Sequence, residues 1–547
     1  MEHVLAAQSH LRLPRLPSYR PQLNIIERFW RVLRRCVNKQ EAPCNGLWVI
    51  MLMRFSRDLL LYLPALVVPA LLGFVSLSVF TRILSVEQYG QYALVMSTVA
   101  ILSILLGWLH MAFIRFYPSV PEHDISVLLR TSFWTQIVCG GCLMALAMGV
   151  LHFLWATNSP LQRLMQIGFV IFCSQTTFNL LARVLQSRRL PGFYSLFVVL
   201  EKCVGLGTGV LLAVGFGWGA AGVLWGVVCG SAFMLPFLWR KAWQGMRAVG
   251  PISLPLLRQL AVYGLPLTIG ELGSWILNLS DRYQIKLFFS DHEVGIYATA
   301  YMISFHSIFL FSRVFTLAAG PLLANTWEKH GKEASQNLLS SIARLYVLVG
   351  IPIVVGMSVL AHPLMALLVG ADFTHGYTII PWVVSGVFFL GLQQRFNSTL
   401  LLVKRTQVVM VSLIIAGVLN IGLNGWLLPI FGYQMAAVTT LVSYLVLCGV
   451  LAVASQRHLP WPFPWATALR SLVAAGVMGS GLIVLLRQTA LSPLGTLSLG
   501  VPIGIVLYGV TIWACGEMAP AERQYVISVI RKGLNLRPKG RELHPGG

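Results

Sequence analysis

The chain has 547 residues, 56% hydrophobic and only 11% charged, with a mean hydropathy of +0.75. Soluble domains carry roughly 25% charged residues, so a water-soluble globular protein is excluded and a polytopic membrane protein is implied. Lys and Arg number 40 against 18 Asp and Glu, a net +22; in a membrane protein that excess collects in cytoplasmic loops, so no nucleic-acid partner is called for.

The first 50 residues hold no apolar run before a cleavage site, and no cleavable signal peptide is expected. A spanning helix takes about 20 apolar residues. Fourteen such runs follow, at 59–80, 92–113, 132–155, 164–186, 193–214, 219–239, 259–279, 294–318, 338–361, 377–402, 408–429, 433–454, 466–486 and 494–516. Of the 32 Lys and Arg beyond residue 50, 21 fall on one side of these spans and 5 on the other. That asymmetry places both termini in the cytoplasm, together with the loops at 240–258 and 325–337. The nine Cys form no framework; Cys139-Gly-Gly-Cys142 has redox spacing but is read as two small residues on one face of a membrane helix.

Three short matches recur in register. Tyr62-Leu-Pro64 answers to Tyr263-Gly-Leu-Pro266, Glu87-Gln-Tyr89-Gly90-Gln-Tyr92 to Glu293-Val294-Gly295-Ile-Tyr297, and Phe216-Gly217-Trp218 to Phe431-Gly432-Tyr433, with offsets of 202, 205 and 215. Six spans separate the copies, so they share one orientation in the bilayer. The expected fold is all-α: about fourteen transmembrane helices, as two pseudo-symmetric six-helix lobes plus two C-terminal helices, the plan of a two-lobed transporter. The corresponding divisions are a tail 1–50, a lobe 51–240, a linker 241–258, a lobe 259–456, two extra helices 457–516 and a basic tail 517–547.

Charges within spans are costly and each asks for a role. Glu201 and Lys202 sit midway along the fifth span; neighbours on a helix point about 100° apart, so they are not expected to pair with each other. Each then faces a partner helix or a cavity. Glu271 lies in the seventh span among Pro266, Gly270 and Gly273, and the first span carries Pro64, Pro69 and Gly73 in the corresponding place. Helices interrupted at matching positions point to a transporter's binding region. Asp281 and Arg282 close the seventh span, as an interfacial ion pair or as part of that region. Arg313 in the eighth span and Arg395 in the tenth are the candidates for an anionic headgroup, in that order, with snorkelling the alternative for Arg395. Arg183, Arg344 and Arg470 read as snorkelling residues near helix ends, His306 as a packed polar residue or a proton sensor, and Asn420 and Asn424 as interhelical glue. There is no GxxxxGK[ST] loop and no HExxH.

The basic start Arg54-Phe-Ser-Arg57, the stretch from Phe80-Thr-Arg82-Ile-Leu84 to Glu87-Gln-Tyr-Gly90-Gln-Tyr92, and Asn278-Leu-Ser-Asp281-Arg282-Tyr283 carry a resemblance. Over residues 54 to about 516 the chain resembles the polysaccharide-transporter branch of the multidrug/oligosaccharidyl-lipid/polysaccharide exporter superfamily. The resemblance implies a flippase, not an enzyme, moving an undecaprenyl-pyrophosphate-linked oligosaccharide across a bacterial inner membrane for O-antigen or exopolysaccharide synthesis. It would need no cofactor beyond a coupling ion (H+ or Na+) or the membrane potential. Its partners would be the lipid-linked oligosaccharide, the bilayer, and a polysaccharide polymerase with its chain-length machinery. The alternatives are a polysaccharide polymerase or ligase, a multidrug antiporter, or a peptidoglycan-precursor flippase. Short outer segments weigh against the first, and the scarcity of embedded Arg in the first six spans against the last.

Leu16-Pro17-Ser-Tyr19-Arg-Pro21-Gln-Leu23-Asn24-Ile-Ile-Glu27-Arg-Phe-Trp30 resembles something else, the C-terminal end of a DDE-type transposase. There the equivalent of Glu27 is one of three carboxylates on two metal ions. The other two are missing, so residues 1–50 read as an inactive remnant, with Met51 or Met53 the expected start, or as a basic cytoplasmic tail.

Overall fold

The computed structural model describes residues 64–65, 67–121, 124–154, 159–244, 252–488 and 491–517. The tails 1–50 and 518–547 and the basic pair Arg54 and Arg57 lie outside the described residues. Among those described, 91% are helical and none is in a strand. In order the helices are α1 Val67–Ile83, α2 Val86–Phe116, α3 Ile125–Leu154, α4 Pro160–Ser187, α5 Pro191–Val210, α6 Gly219–Trp243, α7 Leu254–Leu279 and the short α8 Asp281–Phe288. There follow α9 Asp291–Val359, the short α10 Ala361–Leu368, α11 Ile380–Leu402, α12 Thr406–Phe431, α13 Met435–His458, α14 Trp465–Gln488 and α15 Pro493–Ala514. Among the described residues twelve segments are long and apolar enough to span a bilayer, α11 with its preceding 3-10 turn makes a thirteenth, and α1 is a shorter apolar helix. Each of the fourteen expected spans therefore meets an apolar helix.

Local chemistry sets the helix ends. Ser85, Ser159, Ser253 and Ser492 cap α2, α4, α7 and α15, their hydroxyls accepting from the N–H of Gln88, Gln162, Leu256 and Gly495. Pro160, Pro191 and Pro493 stand at first helical positions, where a missing N–H costs nothing.

The structure departs from the expected spans in three places. The segment 325–337 was expected as a loop; α9 is helical through it apart from one break at Gly331 (φ 75, ψ −160), because a helix satisfies its own backbone whether its side chains are polar or apolar. The 3-10 turn Ala371–Thr378 meets α11 at 60°, so the tenth span is bent. Pro266, expected as a break, lies inside α7, which runs through it as one helix.

By packing, the residues form two units. The first runs to Ala298 and takes in Gly417–Tyr433. Its core joins Leu109 and Phe113 of α2, Leu128 of α3, Leu181 and Leu185 of α4, Leu238 of α6 and Leu260 of α7. Packing thus groups 254–298 with the N-terminal helices, whereas the sequence repeat groups it with the second half. Within this unit α5 and α6 approach through glycine: a Cβ on Gly226 would lie 2.2 Å from Gly209 Cα.

The repeat-related residues Gly90 and Gly295 meet each other. A Cβ on Gly90 would lie 1.9 Å from Asp291 O, and one on Gly295 2.2 Å from Val86 O, so each glycine faces the carbonyl four residues before the other. Gln91 donates to Asp291 Oδ2 at 3.0 Å, and Lys286 pairs with Asp291 Oδ1 at 2.7 Å. The third match also has a backbone counterpart, since Gly217 (φ 68) and Gly432 (φ 88) are both left-handed.

The second unit comprises Thr299–Ala416 and the residues from Gln434 onward. Leu360, Met478 and Leu482 form a core there, with Val355 and Leu507 against it. The Pro- and Trp-rich segment 459–465 is fixed by Trp461, whose indole N–H lies 3.2 Å from both Thr399 Oγ1 and Ser455 Oγ and whose ring stacks on Phe396.

Candidate functional site

The second unit holds the two arginines singled out as anion ligands. Arg313 lies on α9, inside the apolar run 294–318, and is exposed. Thr316 is exposed as well, one turn further on, close enough for residues three apart to share a face. Arg395 is placed otherwise: it is 2% exposed, with its guanidinium 5.5 Å above the Tyr346 ring. Arg395 Nη2 donates to Thr316 Oγ1 at 2.8 Å and lies 3.5 Å from Gln394 Oε1. The Thr316 hydroxyl is 2.5 Å from Gln394 Oε1 and 3.0 Å from Ser312 O. Tyr346 is locked in turn, its hydroxyl donating to Phe388 O at 3.0 Å and lying 3.0 Å from Ser312 Oγ. The structure therefore links Arg395 to the helix that carries Arg313, through Thr316. Among the described residues no carboxylate pairs with either arginine. Thr316, Tyr346 and Gln394 were not singled out beforehand; the legible signal is the polar run Gln393-Gln394-Arg395 in an otherwise apolar span.

In the first unit Asp281 is 1% exposed and heads α8. Its carboxylate accepts from the Tyr297 hydroxyl at 2.6 Å and from Asn424 Nδ2 at 2.8 Å; Asn424 also lies 3.4 Å from Asn420 Oδ1. Asn424 does bind helices together through the buried acid, while Asn420 meets Asn424 within α12. Arg282, also buried, reaches Asn278 O at 3.5 Å among other contacts.

Glu201 and Lys202 correct an expectation: they do pair, Nζ to Oε2 at 3.1 Å. Glu201 is 4% exposed, while the Lys202 side chain is 45% exposed and long enough to turn back around the helix. Their Cβ directions differ, but four methylenes bridge the difference. Glu271 is exposed on α7, with no hydrogen bond or ion pair among the described residues. Pro64 and Pro266 are exposed, and Pro69 and Gly73 half-buried. Gly270 is open enough that a Cβ would meet nothing within 4 Å, whereas Gly273 is buried in the packing of α7. His306 binds Met302 O at 3.0 Å, as a packed polar residue does.

Arg344 and Arg470 have a partner that the span-by-span reading missed. Glu517, just beyond α15, accepts from Arg344 Nε and Arg470 Nη1, each at 2.9 Å, and from the Thr467 hydroxyl. Burial raises its pKa, but these three donors outweigh that and hold it below the ordinary 4.5. The described residues include no group of three or more His, Cys, Asp or Glu placed to hold a metal ion.

Residues 79–376 match the family described as "polysaccharide biosynthesis protein". The probable low-salt glycan biosynthesis flippase Agl15 of Haloferax volcanii is 22% identical over 309 residues, which cover 56% of this chain. The chain spans 64% of that relative's length. In fold the chain is similar to the lipid II flippase MurJ in an inward closed conformation, with a TM-score of 0.70 at 15% identity over 83% of this chain and 98% of the other. It is also similar to an inward-facing multidrug resistance MATE family transporter of the MOP superfamily, with a TM-score of 0.60 at 11% identity over 71% and 94%.

Proposed function

From the premise that the chain belongs to the polysaccharide biosynthesis protein family, we propose that it is a flippase and makes no covalent bond. Its cargo is an undecaprenyl-pyrophosphate-linked oligosaccharide, moved from the inner to the outer leaflet of a bacterial inner membrane for O-antigen or exopolysaccharide synthesis. Two of the compared proteins are themselves described as flippases, one of glycan biosynthesis and one of lipid II. The observation that carries the reading is Arg313. A permanent cation in an apolar segment costs about 2.5–3.5 kcal/mol or more, and Arg313 has no acid against it among the described residues. A diphosphate crossing the bilayer needs such a partner, and a guanidinium binds phosphate oxygens two at a time. A coupling ion (H+ or Na+) or the membrane potential drives the cycle in this reading, and a polymerase with its chain-length machinery takes the product.

The test is Arg313→Ala, read by surface glycan and by the amount of protein in the membrane. Export should stop at unchanged protein level, and Arg313→Lys should restore part of it. Full export by Arg313→Ala would reduce the residue to a structural one. In proteoliposomes the cargo should change leaflet with its covalent structure intact; a lengthened or transferred glycan would make the protein an enzyme of the pathway.

A further inference from the structure

A carboxamide has one accepting end and one donating end, and its neighbours decide which faces where. For Gln394 the neighbour is permanently cationic. Oε1 lies 2.5 Å from the Thr316 hydroxyl and 3.5 Å from Arg395 Nη2, and the same Nη2 donates to Thr316 at 2.8 Å. Arg395 has only donors to offer, so a reversed amide would set N–H groups against N–H groups. The guanidinium is itself immobilised, 2% exposed and stacked over Tyr346, and its Nε and Nη1 bond to nothing among the described residues. Among the described residues its polar contacts lead outward through Thr316 and Gln394. With Oε1 committed inward, the two hydrogens of Gln394 Nε2 face the other way, and no described residue accepts them. The exposed Thr316 and Arg313 stand one helical turn apart on α9. This face therefore offers one cation and a fixed amide donor, with no carboxylate on it among the described residues.

We infer that Gln394 Nε2 is a direct ligand of a diphosphate oxygen, and that Arg395 is a positioning residue that sets the polarity of that amide without touching the substrate. The inference rests on the flippase reading and adds to it a division of labour: Arg313 supplies charge, Gln394 a directed hydrogen bond, and Arg395 the orientation. A hydrogen bond to a charged group that is replaced by repulsion shifts affinity by roughly tenfold or more.

The test uses the full chain in lipid nanodiscs, with farnesyl diphosphate as the probe and farnesol as its uncharged control. Gln394→Glu should keep its melting temperature, since the new carboxylate faces Arg395 and Thr316, yet bind farnesyl diphosphate at least about tenfold more weakly. Gln394→Met, of similar shape and without a donor, should lose affinity as well and serves if the acidic variant fails to fold. Arg395→Lys keeps the charge but loses the fork; it should weaken binding in the wild-type background and cost nothing further in a Gln394→Ala background. Unchanged affinity in a folded Gln394→Glu or Gln394→Met, or additive effects of Arg395→Lys and Gln394→Ala, would overturn the inference. If Arg313→Ala weakens binding and the Gln394 variants do not, the inference falls and the flippase reading stands. If farnesyl diphosphate and farnesol bind the wild type alike, both fall.

Discussion

Gly90→Ala adds one methyl group where two repeat-related helices cross. The new Cβ would lie 1.9 Å from the carbonyl oxygen of Asp291 and 3.0 Å from the amide nitrogen of Gly295. Ordinary contact begins at 3.4 Å, so the helices must part by up to about 1.5 Å at that point, less whatever the local backbone yields. The obstruction is main chain and has no rotamer to move into. Overpacking typically costs about 1–3 kcal/mol, and a backbone contact belongs at the upper end, near 3 kcal/mol. Separation would also stretch the bond from Gln91 to Asp291. Gly107 lies in the same helix with nothing within 4 Å of an added Cβ, and Gly107→Ala should be neutral or stabilise by up to ~1 kcal/mol through helix propensity. The assay is the thermal midpoint of the detergent-solubilised protein, followed by size-exclusion with fluorescence detection at one heating protocol. Gly90→Ala should melt well below wild type and Gly107→Ala at or above it. The double variant Gly90→Ala/Gly295→Ala should lose less than the sum of its parts, because both methyl groups open the same crossing. Coincident melting of Gly90→Ala and Gly107→Ala would refute the close approach.

Glu517 has a folded-state pKa below its ordinary 4.5, so its contribution is complete above about 4.5 and is lost as pH falls through the lower folded value. Glu517→Gln should therefore melt below wild type at neutral pH, with the gap closing in acid; a gap independent of pH would assign the loss to packing. For orientation, Leu254, 76% exposed at the start of α7, serves as the reporter. Leu254→Cys in a cysteine-free background should react with an impermeant thiol reagent in inverted vesicles and not in intact spheroplasts, and the opposite pattern would invert the topology.

What was legible followed from local patterns. Each of the fourteen apolar runs met a helical segment, because backbone satisfaction in a bilayer is solved segment by segment. The repeat was legible too, since the turns at Gly217 and Gly432 need the same left-handed residue in both copies. Reading one span at a time could not name the partners in pairings that join elements. Arg344 and Arg470 looked like snorkelling residues because Glu517, some 47 positions or more away, is invisible from their own helices. The Glu201–Lys202 pair was missed for a different reason, since side-chain length overrode Cβ direction.

Composition, hydropathy and charge asymmetry were enough to establish a helical membrane protein with an internal repeat, because those properties accumulate along the chain without reference to distant partners. Tertiary structure decided what each embedded charge does. Arg313 and Arg395 have the same side chain in similar apolar runs, yet one is exposed and the other sealed over Tyr346 behind Thr316 and Gln394. In a low-dielectric interior the role of a charge depends on which groups lie within a few ångströms of it. Those groups come from helices that only the folded packing brings together.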